Sequence, residues 1–301
     1  MSPRDLTALL VLSALWGGSF LFMRIAAPVL GPVVLIELRV LIAGLALLTF
    51  AVATRSLPSF RVRWRQFLVI GVVNSALPFL LISAATVQIT ASLAATLNAT
   101  TPLFGALVAA VWLGERLSWG KGAGLLLGLM GVALLVGFGP LPLTSPVWLS
   151  IGASLLGALS YGVAAVYTKL RMTGVPPFAL ALYSQLCAAV VLLPAVPFAL
   201  PTVLPSGVVI LSVLALALLS TAVAYLLYFG LIQRVGPTRA TTVTYLSPAF
   251  GIVWGALLLR EPLTLWSFLG FGLILASVAL VTGPVLPGRQ ADTQADTELG
   301  A

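Results

Sequence analysis

Uncharged apolar runs, each near the length of one or two bilayer crossings, alternate along most of the chain with short polar or proline-containing breaks. A helix spans the hydrocarbon core with about 20 predominantly apolar residues. Residues 6–23 make one such span, and a second starts after Gly31-Pro32 and reaches Thr54, with Glu37 and Arg39 inside it. Residues 66–114 carry no charge and must turn once, at the polar stretch Thr86-Val87-Gln88-Ile89-Thr90. Residues 122–168 hold two spans broken at Gly139-Pro140-Leu141-Pro142. Residues 172–233 hold two more, broken by Pro197, Pro201 and Pro205, and residues 240–259 and 262–281 supply the last pair. The pattern predicts an all-α integral membrane protein with ten transmembrane helices. The first run lacks a small-residue cleavage site followed by a polar start, so it reads as a span and not as a signal peptide.

Composition agrees. Apolar residues are 60% of the chain, charged residues 7%, and mean hydropathy is +1.16; a soluble domain carries about 25% charged residues. Ten spans place both termini on one face, and that face collects Arg4, Arg55, Arg61, Arg63, Arg65, Arg116, Lys121, Lys169, Arg171, Arg234, Arg239 and Arg289. The other face receives only Arg24 and Arg260. By the positive-inside rule this predicts cytoplasmic termini in a cell (inner) membrane. The net charge of +8 is therefore an orientation signal and implies no nucleic-acid partner.

Several chemistries are excluded by what is missing. No His occurs, and Asp5, Asp292 and Asp296 all lie near the termini. Ser-His or Cys-His catalysis, imidazole-ligated zinc, haem ligation and an intramembrane aspartyl dyad are ruled out. No G-x-x-x-x-G-K-[ST] loop is present. The lone Cys187 sits in an apolar run as a small hydrophobe. No cofactor and no metal are expected.

The chain also repeats itself. A shift of 146 lays Pro102-Leu103-Phe104-Gly105 over Pro248-Ala249-Phe250-Gly251, Glu115 over Glu261 and Gly124 over Gly270. A shift of 145 lays Trp16-Gly17 over Tyr161-Gly162, Arg24 over Lys169 and Pro32 over Pro177. Helices 1–5 thus correspond to helices 6–10, giving repeats at residues 1–145 and 146–283, with a tail at 284–301 expected to be disordered. Five is odd, so the second copy inserts upside down. Two inverted five-helix repeats form a transporter architecture in which exchange of packings opens a site to one side and then the other.

The stretch Trp16-Gly17-Gly18-Ser19-Phe20 ending in Arg24 resembles the first-helix signature of EamA-type transporters of the drug/metabolite transporter superfamily. Glu-Arg-Leu at 115–117 and Glu-Pro-Leu at 261–263 resemble that family's repeat endings. The resemblance covers roughly residues 6–282 and implies ten helices, cytoplasmic termini and a central cavity lined by helices 1, 3, 4, 6, 8 and 9. YddG-like amino-acid exporters are similar in layout. Glu37 is a departure from the family pattern.

Polar residues near prolines locate the candidate chemistry. Helix 4 carries Asn98 and Thr101 before Pro102, and helix 9 carries Thr244 and Ser247 before Pro248. Helix 3 adds Asn74 one turn before Pro78. Each proline removes a backbone hydrogen bond, and the freed carbonyl needs a polar partner or a wet cavity. Trp16 and Tyr161, roughly 15 Å into their helices at the helical rise, and Tyr225 and Tyr228 on helix 8 could stack on an apolar or aromatic solute. Arg24, Glu37 and Arg39 fall near one end of helices 1 and 2, as an ion pair or as a gating and coupling group. On this reading the lining lacks a mid-membrane charge, which argues against a strongly anionic substrate such as a sugar phosphate. The glycines at 120, 124 and 128, with Gly251 and Gly255, suit close helix packing.

The sequence reads as a secondary transporter, working as a monomer in the bilayer, that exports small, partly apolar metabolites such as amino acids. The alternatives are an intramembrane lipid-modifying enzyme, with Glu37 as its only acid inside a span, and a channel-like facilitator, for which no charge ring or filter repeat appears.

Overall fold

The computed structural model describes residues 1–115, 118–138, 142, 144–240 and 242–282, and the side chains of 237 and 238 are left aside. The residues Gly139-Pro140-Leu141, the Arg-Leu of the first repeat ending, Thr241 and the tail 284–301 fall outside that set. Among the described residues the chain is helical, with no strand.

Helix α1 (Pro3–Ala53) starts on a capping box in which the Ser2 hydroxyl donates to Asp5 at 2.7 Å and accepts the Asp5 backbone N–H at 3.3 Å. Straight, its 51 residues would run about 77 Å, more than twice the hydrocarbon thickness. It is not straight. Gly31 has φ 72° and ψ 154°, a conformation open in practice only to glycine, and Pro28 and Pro32 flank it. The Arg39 guanidinium lies 3.8 Å from Met23 Sδ, although sixteen residues of unbroken helix would part them by about 24 Å. The arms 3–30 and 32–53 therefore fold back on each other.

The remaining helices are α2 (Arg61–Ala85), α3 (Ala91–Leu113), α4 (Trp119–Gly137), α5 (Ser145–Arg171), α6 (Pro177–Phe198), α7 (Gly207–Val235), α8 (Val243–Leu259) and α9 (Leu265–Thr282). Eight described helices are long and apolar enough to cross a membrane, while α8 is shorter at 17 residues. The expected first and second helices are thus arms of one bent element, because glycine carries the turn with no loop. Two further irregularities matter below. Residues Gly71–Ala76 of α2 and Ala215–Val223 of α7 are π-helical, a wider winding often found at functional sites. Helix α3 is interrupted at Ala99 and Thr100, just before Pro102.

Glycines set the closest crossings. A methyl at Gly17 of α1 would stand 2.5 Å from the Ser247 carbonyl and 2.7 Å from the Gly251 nitrogen of α8. A methyl at Gly162 of α5 would stand 2.8 Å from the Gly105 nitrogen of α3. These crossings are related by the sequence offset: 17 corresponds to 162, and 251 to 105. Helices α4 and α9 pack likewise, with Gly124 against the Ser277 carbonyl and Gly131 against the Gly270 carbonyl. Here the offset maps the pair 124/277 onto 270/131, so the contact is its own mate. Gly120, expected to pack with these, meets only Ser118 Oγ at 4.0 Å.

Because the clashing atoms at Gly17 are backbone, Gly17→Ala should lower stability by about 1–3 kcal/mol, the usual cost of overpacking. Gly122→Ala, with nothing within 4 Å, should instead be neutral or stabilise by about 0.5–1 kcal/mol. Thermal unfolding of the detergent-purified variants checks both signs.

Candidate functional site

A cavity of about 560 Å³ occupies the middle of the bundle. Trp16, Asn74, Asn98, Thr101, Tyr161, Tyr225, Thr244 and Ser247 all line it, as do the kink prolines Pro102 and Pro248; Pro78 does not. Of the three intramembrane charges, Arg39 lines it, while Arg24 and Glu37 do not. Helices beyond those the family resemblance implied also contribute. Arg39 comes from the second arm of α1, and Pro177, Leu180, Ala181 and Ser184 come from α6.

The aromatic walls form two matching sets. Trp16 meets Tyr225 edge-on at 6.3 Å and 78°, and Tyr161 meets Phe79 edge-on at 6.3 Å and 66°. The offset takes 16 to 161 and 79 to 225, so these contacts are mates. Tyr228 packs 5.2 Å from Trp16. Phe79 was missed in the sequence, although shifting Tyr225 back by 146 lands on it.

Polar groups show the same exchange. Arg39 Nε donates to Thr221 Oγ1 at 3.1 Å, and Gln185 Nε2 donates to Ser75 Oγ at 3.0 Å. A shift of 146 takes 39 to 185 and 75 to 221. Each acceptor sits in a π-helical stretch. These windings expose carbonyls that side chains then satisfy: Ser160 donates to the Val73 carbonyl at 2.7 Å, and Thr221 to the Leu216 carbonyl at 2.8 Å. At the α3 break Thr101 donates to the Asn98 carbonyl at 2.8 Å, the group Pro102 leaves without an amide partner. Ser247 donates to the Val243 carbonyl of its own helix at 2.8 Å. The hydroxyls of Thr101 and Ser247 thus serve their own helices.

The expected pairing of Glu37 with Arg24 or Arg39 does not occur. Residues two apart on a helix point about 200° away from each other and do not meet. Arg24 instead donates to the carbonyls of Thr86 and Val87 at 2.6 and 2.7 Å. Glu37 is buried, with Oε2 lacking a hydrogen-bond partner. Arg39 is 5% exposed and lies 3.5 Å over the Phe79 ring, and no ion pair to it exists among the described residues. A buried cation without a counter-ion costs several kcal/mol. The lining therefore does hold a charge, contrary to the expectation from sequence. Arg39 was not assigned to the cavity because the bend at Gly31, which swings its arm inward, is a tertiary effect.

The two ends of the cavity differ. At one end the carboxylate of Glu261 takes the backbone N–H groups of Ala91 and Ser92 at 2.7 and 2.9 Å and the Ser92 hydroxyl at 2.5 Å. This caps the start of α3, and Arg24 binds the 86–87 turn just before it. At the other end Glu115, the mate of Glu261, pairs with Lys169 at 3.0 Å and Lys121 at 3.7 Å. Those lysines hold its carboxyl below the usual glutamate range, so these pairs are lost as pH falls through that lowered value. The lining continues to Thr168, Ile232 and the exposed Ala165 and Pro177, so the cavity extends toward the end of the bundle where α1 begins, tied there by Asp5 and Arg234 at 2.8 Å.

Comparison with known proteins gives a consistent picture. The model of the EamA-like transporter family matches residues 5–137 and 148–283. The chain is 31% identical to the uncharacterized inner membrane transporter YedA of Escherichia coli (strain K12) over 91% of this chain and 89% of that protein. It is 27% identical to a probable terminal-alkyne amino-acid exporter of Streptantibioticus cattleyicolor, covering 94% of this chain and 95% of that one. A crystal structure 21% identical in sequence superposes with a TM-score of 0.63, covering 94% of this chain and 97% of that chain, a likeness of fold.

The contact between Arg39 and Phe79 should be energetically visible. A double-mutant cycle with Arg39→Gln and Phe79→Leu, read by thermal unfolding, is expected to give about 1–2 kcal/mol of coupling for a desolvated cation over a ring. Additive effects would remove the contact.

Proposed function

The chain belongs to the EamA-like transporter family, and on that premise we propose that it is a secondary transporter that exports small, partly apolar metabolites such as amino acids by alternating access. Ten crossings, counting the two arms of α1, form two inverted five-helix repeats at residues 1–145 and 146–283, with the termini cytoplasmic. The mates across the cavity carry this reading. Arg39–Thr221 with Gln185–Ser75, and Trp16–Tyr225 with Tyr161–Phe79, are contacts that a two-fold exchange of repeats interconverts.

The ends break this symmetry, as a structure caught in one of two states must. Glu261 caps α3 at Ala91 and Ser92, whereas its mate Glu115 is paired with lysines. The offset takes Ala91 to Pro237, which has no N–H, and Ser92 to Thr238, so in the reciprocal state Glu115 takes the Thr238 backbone N–H and Glu261 lets go of α3. With the termini cytoplasmic, the present state is open inward. A cavity lined from one end only supports alternating access over a channel-like facilitator, and Glu37, the only acid an intramembrane enzyme could use, lies outside the lining. The volume falls within the usual range for small-molecule sites, about 300–1,000 Å³, and the name of the Streptantibioticus cattleyicolor relative supports the amino-acid class.

Proteoliposomes loaded with labelled amino acids should show saturable flux. Trp16→Ala or Asn98→Ala should lower it about tenfold or more, equivalent to about 1.4 kcal/mol. Thr101→Val and Ser247→Ala should stay within about threefold, since their hydroxyls serve their own helices. Chemical turnover without flux would refute the transport reading.

Glu261→Gln should release the cap on α3. A thiol placed at Asn98 then becomes more reactive to impermeant reagents from the face of Glu261 and less so from the opposite face. Equal reactivity from both sides would refute the latch.

A further inference from the structure

We infer that the cavity binds its solute as a zwitterion, the carboxylate on Arg39 and the ammonium on Asn98 Oδ1. This rests on reading the cavity as a transport site and goes beyond it by giving each end of the solute a partner.

Arg39 is almost wholly buried, lines the cavity and has no carboxylate partner among the described residues. Guanidinium carries five N–H donors in a planar fork. One is taken by Thr221, one approaches only a thioether sulfur at 3.8 Å, and one face lies against the Phe79 ring. What remains is an edge of the fork, and the group that such an edge takes best is a planar carboxylate, held bidentately. Asn98 presents the complementary need. Asn98 and Ser220 both line the cavity, and their Oδ1 and Oγ, buried beneath its surface, have no hydrogen-bond partner, so a turn of the Asn98 side-chain amide brings Oδ1 to the solute. An oxygen acceptor inside a bilayer requires a donor, and a solute ammonium supplies up to three.

The charge balance selects among anions. Among the described residues Arg39 is the only ionisable acid or base of the lining other than tyrosine, so a single negative charge is matched and a phosphate dianion is left half uncompensated. An amine without a carboxylate would bring a second cation beside Arg39. The Trp16–Tyr225–Tyr228 wall, polar only at its tips, is left for the apolar side chain.

The second repeat indicates how to test this without unfolding the protein. At the mate position Gln185 makes the equivalent bond to a π-helical hydroxyl, so Arg39→Gln can keep its bond to Thr221 while losing the charge. Purified protein is challenged with L-phenylalanine, 3-phenylpropionate and phenethylamine, which share a ring and differ only in head group. Binding is read by thermal shift, and flux in proteoliposomes. L-Phenylalanine should bind best, with 3-phenylpropionate weaker and phenethylamine at least about tenfold weaker still. Arg39→Gln should weaken both carboxylates about tenfold or more while the ligand-free protein still unfolds cooperatively, and Arg39→Lys should restore part of the loss. Asn98→Ala should erase the preference for L-phenylalanine over 3-phenylpropionate. Phenethylamine binding as tightly as L-phenylalanine, or carboxylate binding unchanged in Arg39→Gln, would overturn the assignment while flux left the transport reading standing. Silence of the unsubstituted protein toward all three probes, while the thiol of Asn98→Cys still changes sides, would also overturn it. A thiol fixed on one side would count against the transport reading itself.

Discussion

A polar group inside a bilayer has no water to fall back on, so every one must be answered by another part of the protein or by a wet cavity. This constraint explains why the irregular stretches of the chain and its cavity coincide. The π-helical turns of α2 and α7, the break in α3 and the prolines at 102 and 248 each release backbone groups from regular pairing. Ser160, Thr221 and Thr101 answer carbonyls at three of these places. Two of the unanswered groups, Asn98 Oδ1 and Ser220 Oγ, belong to residues that line the central space, as does Arg39 with no carboxylate partner among the described residues, whereas the unpartnered Glu37 Oε2 lies outside it.

The same constraint favours exchange of contacts over their loss. Breaking Arg39–Thr221 or the Glu261 cap outright would strand buried polar atoms at a cost of about 1–3 kcal/mol or more each. A transporter moving between two states needs them close in free energy, so a bond broken at one end is best replaced by one made at the other. The sequence offset supplies such replacements: Glu115 for Glu261, Lys169 for Arg24, Gln185 for Arg39. The mates are not identical. A charged side chain faces a neutral one at 39 and 185, which ties the cavity's single cation to one half of the protein.

Much of this was legible in the chain. The apolar runs located the helices because bilayer thickness fixes their length, and the eight residues chosen from polar and aromatic positions near prolines share one lining. The offset that aligned Pro-Leu-Phe-Gly with Pro-Ala-Phe-Gly also relates the glycine crossings. Other features were not legible. Glu37 and Arg39 look like a pair in one dimension, yet helical winding sends them apart, and only the turn at Gly31 brings Arg39 against Phe79. The π-helical stretches leave no compositional mark, and the carbonyls they expose are met by side chains such as Ser160, 87 residues from Val73. The cap made by Glu261 joins residues 169 and 170 positions apart, a separation over which no local pattern speaks.

The central claim is that the two ends of the cavity move in opposite senses. Pulsed electron spin resonance on a background without Cys187 tests it most directly, with one label pair at Gln88 and Leu263 and another at Trp119 and Arg239. On addition of transported solute, the account predicts that the first distance distribution lengthens as the second shortens. Distances that change in the same sense at both ends, or at neither while solute is carried, would contradict it.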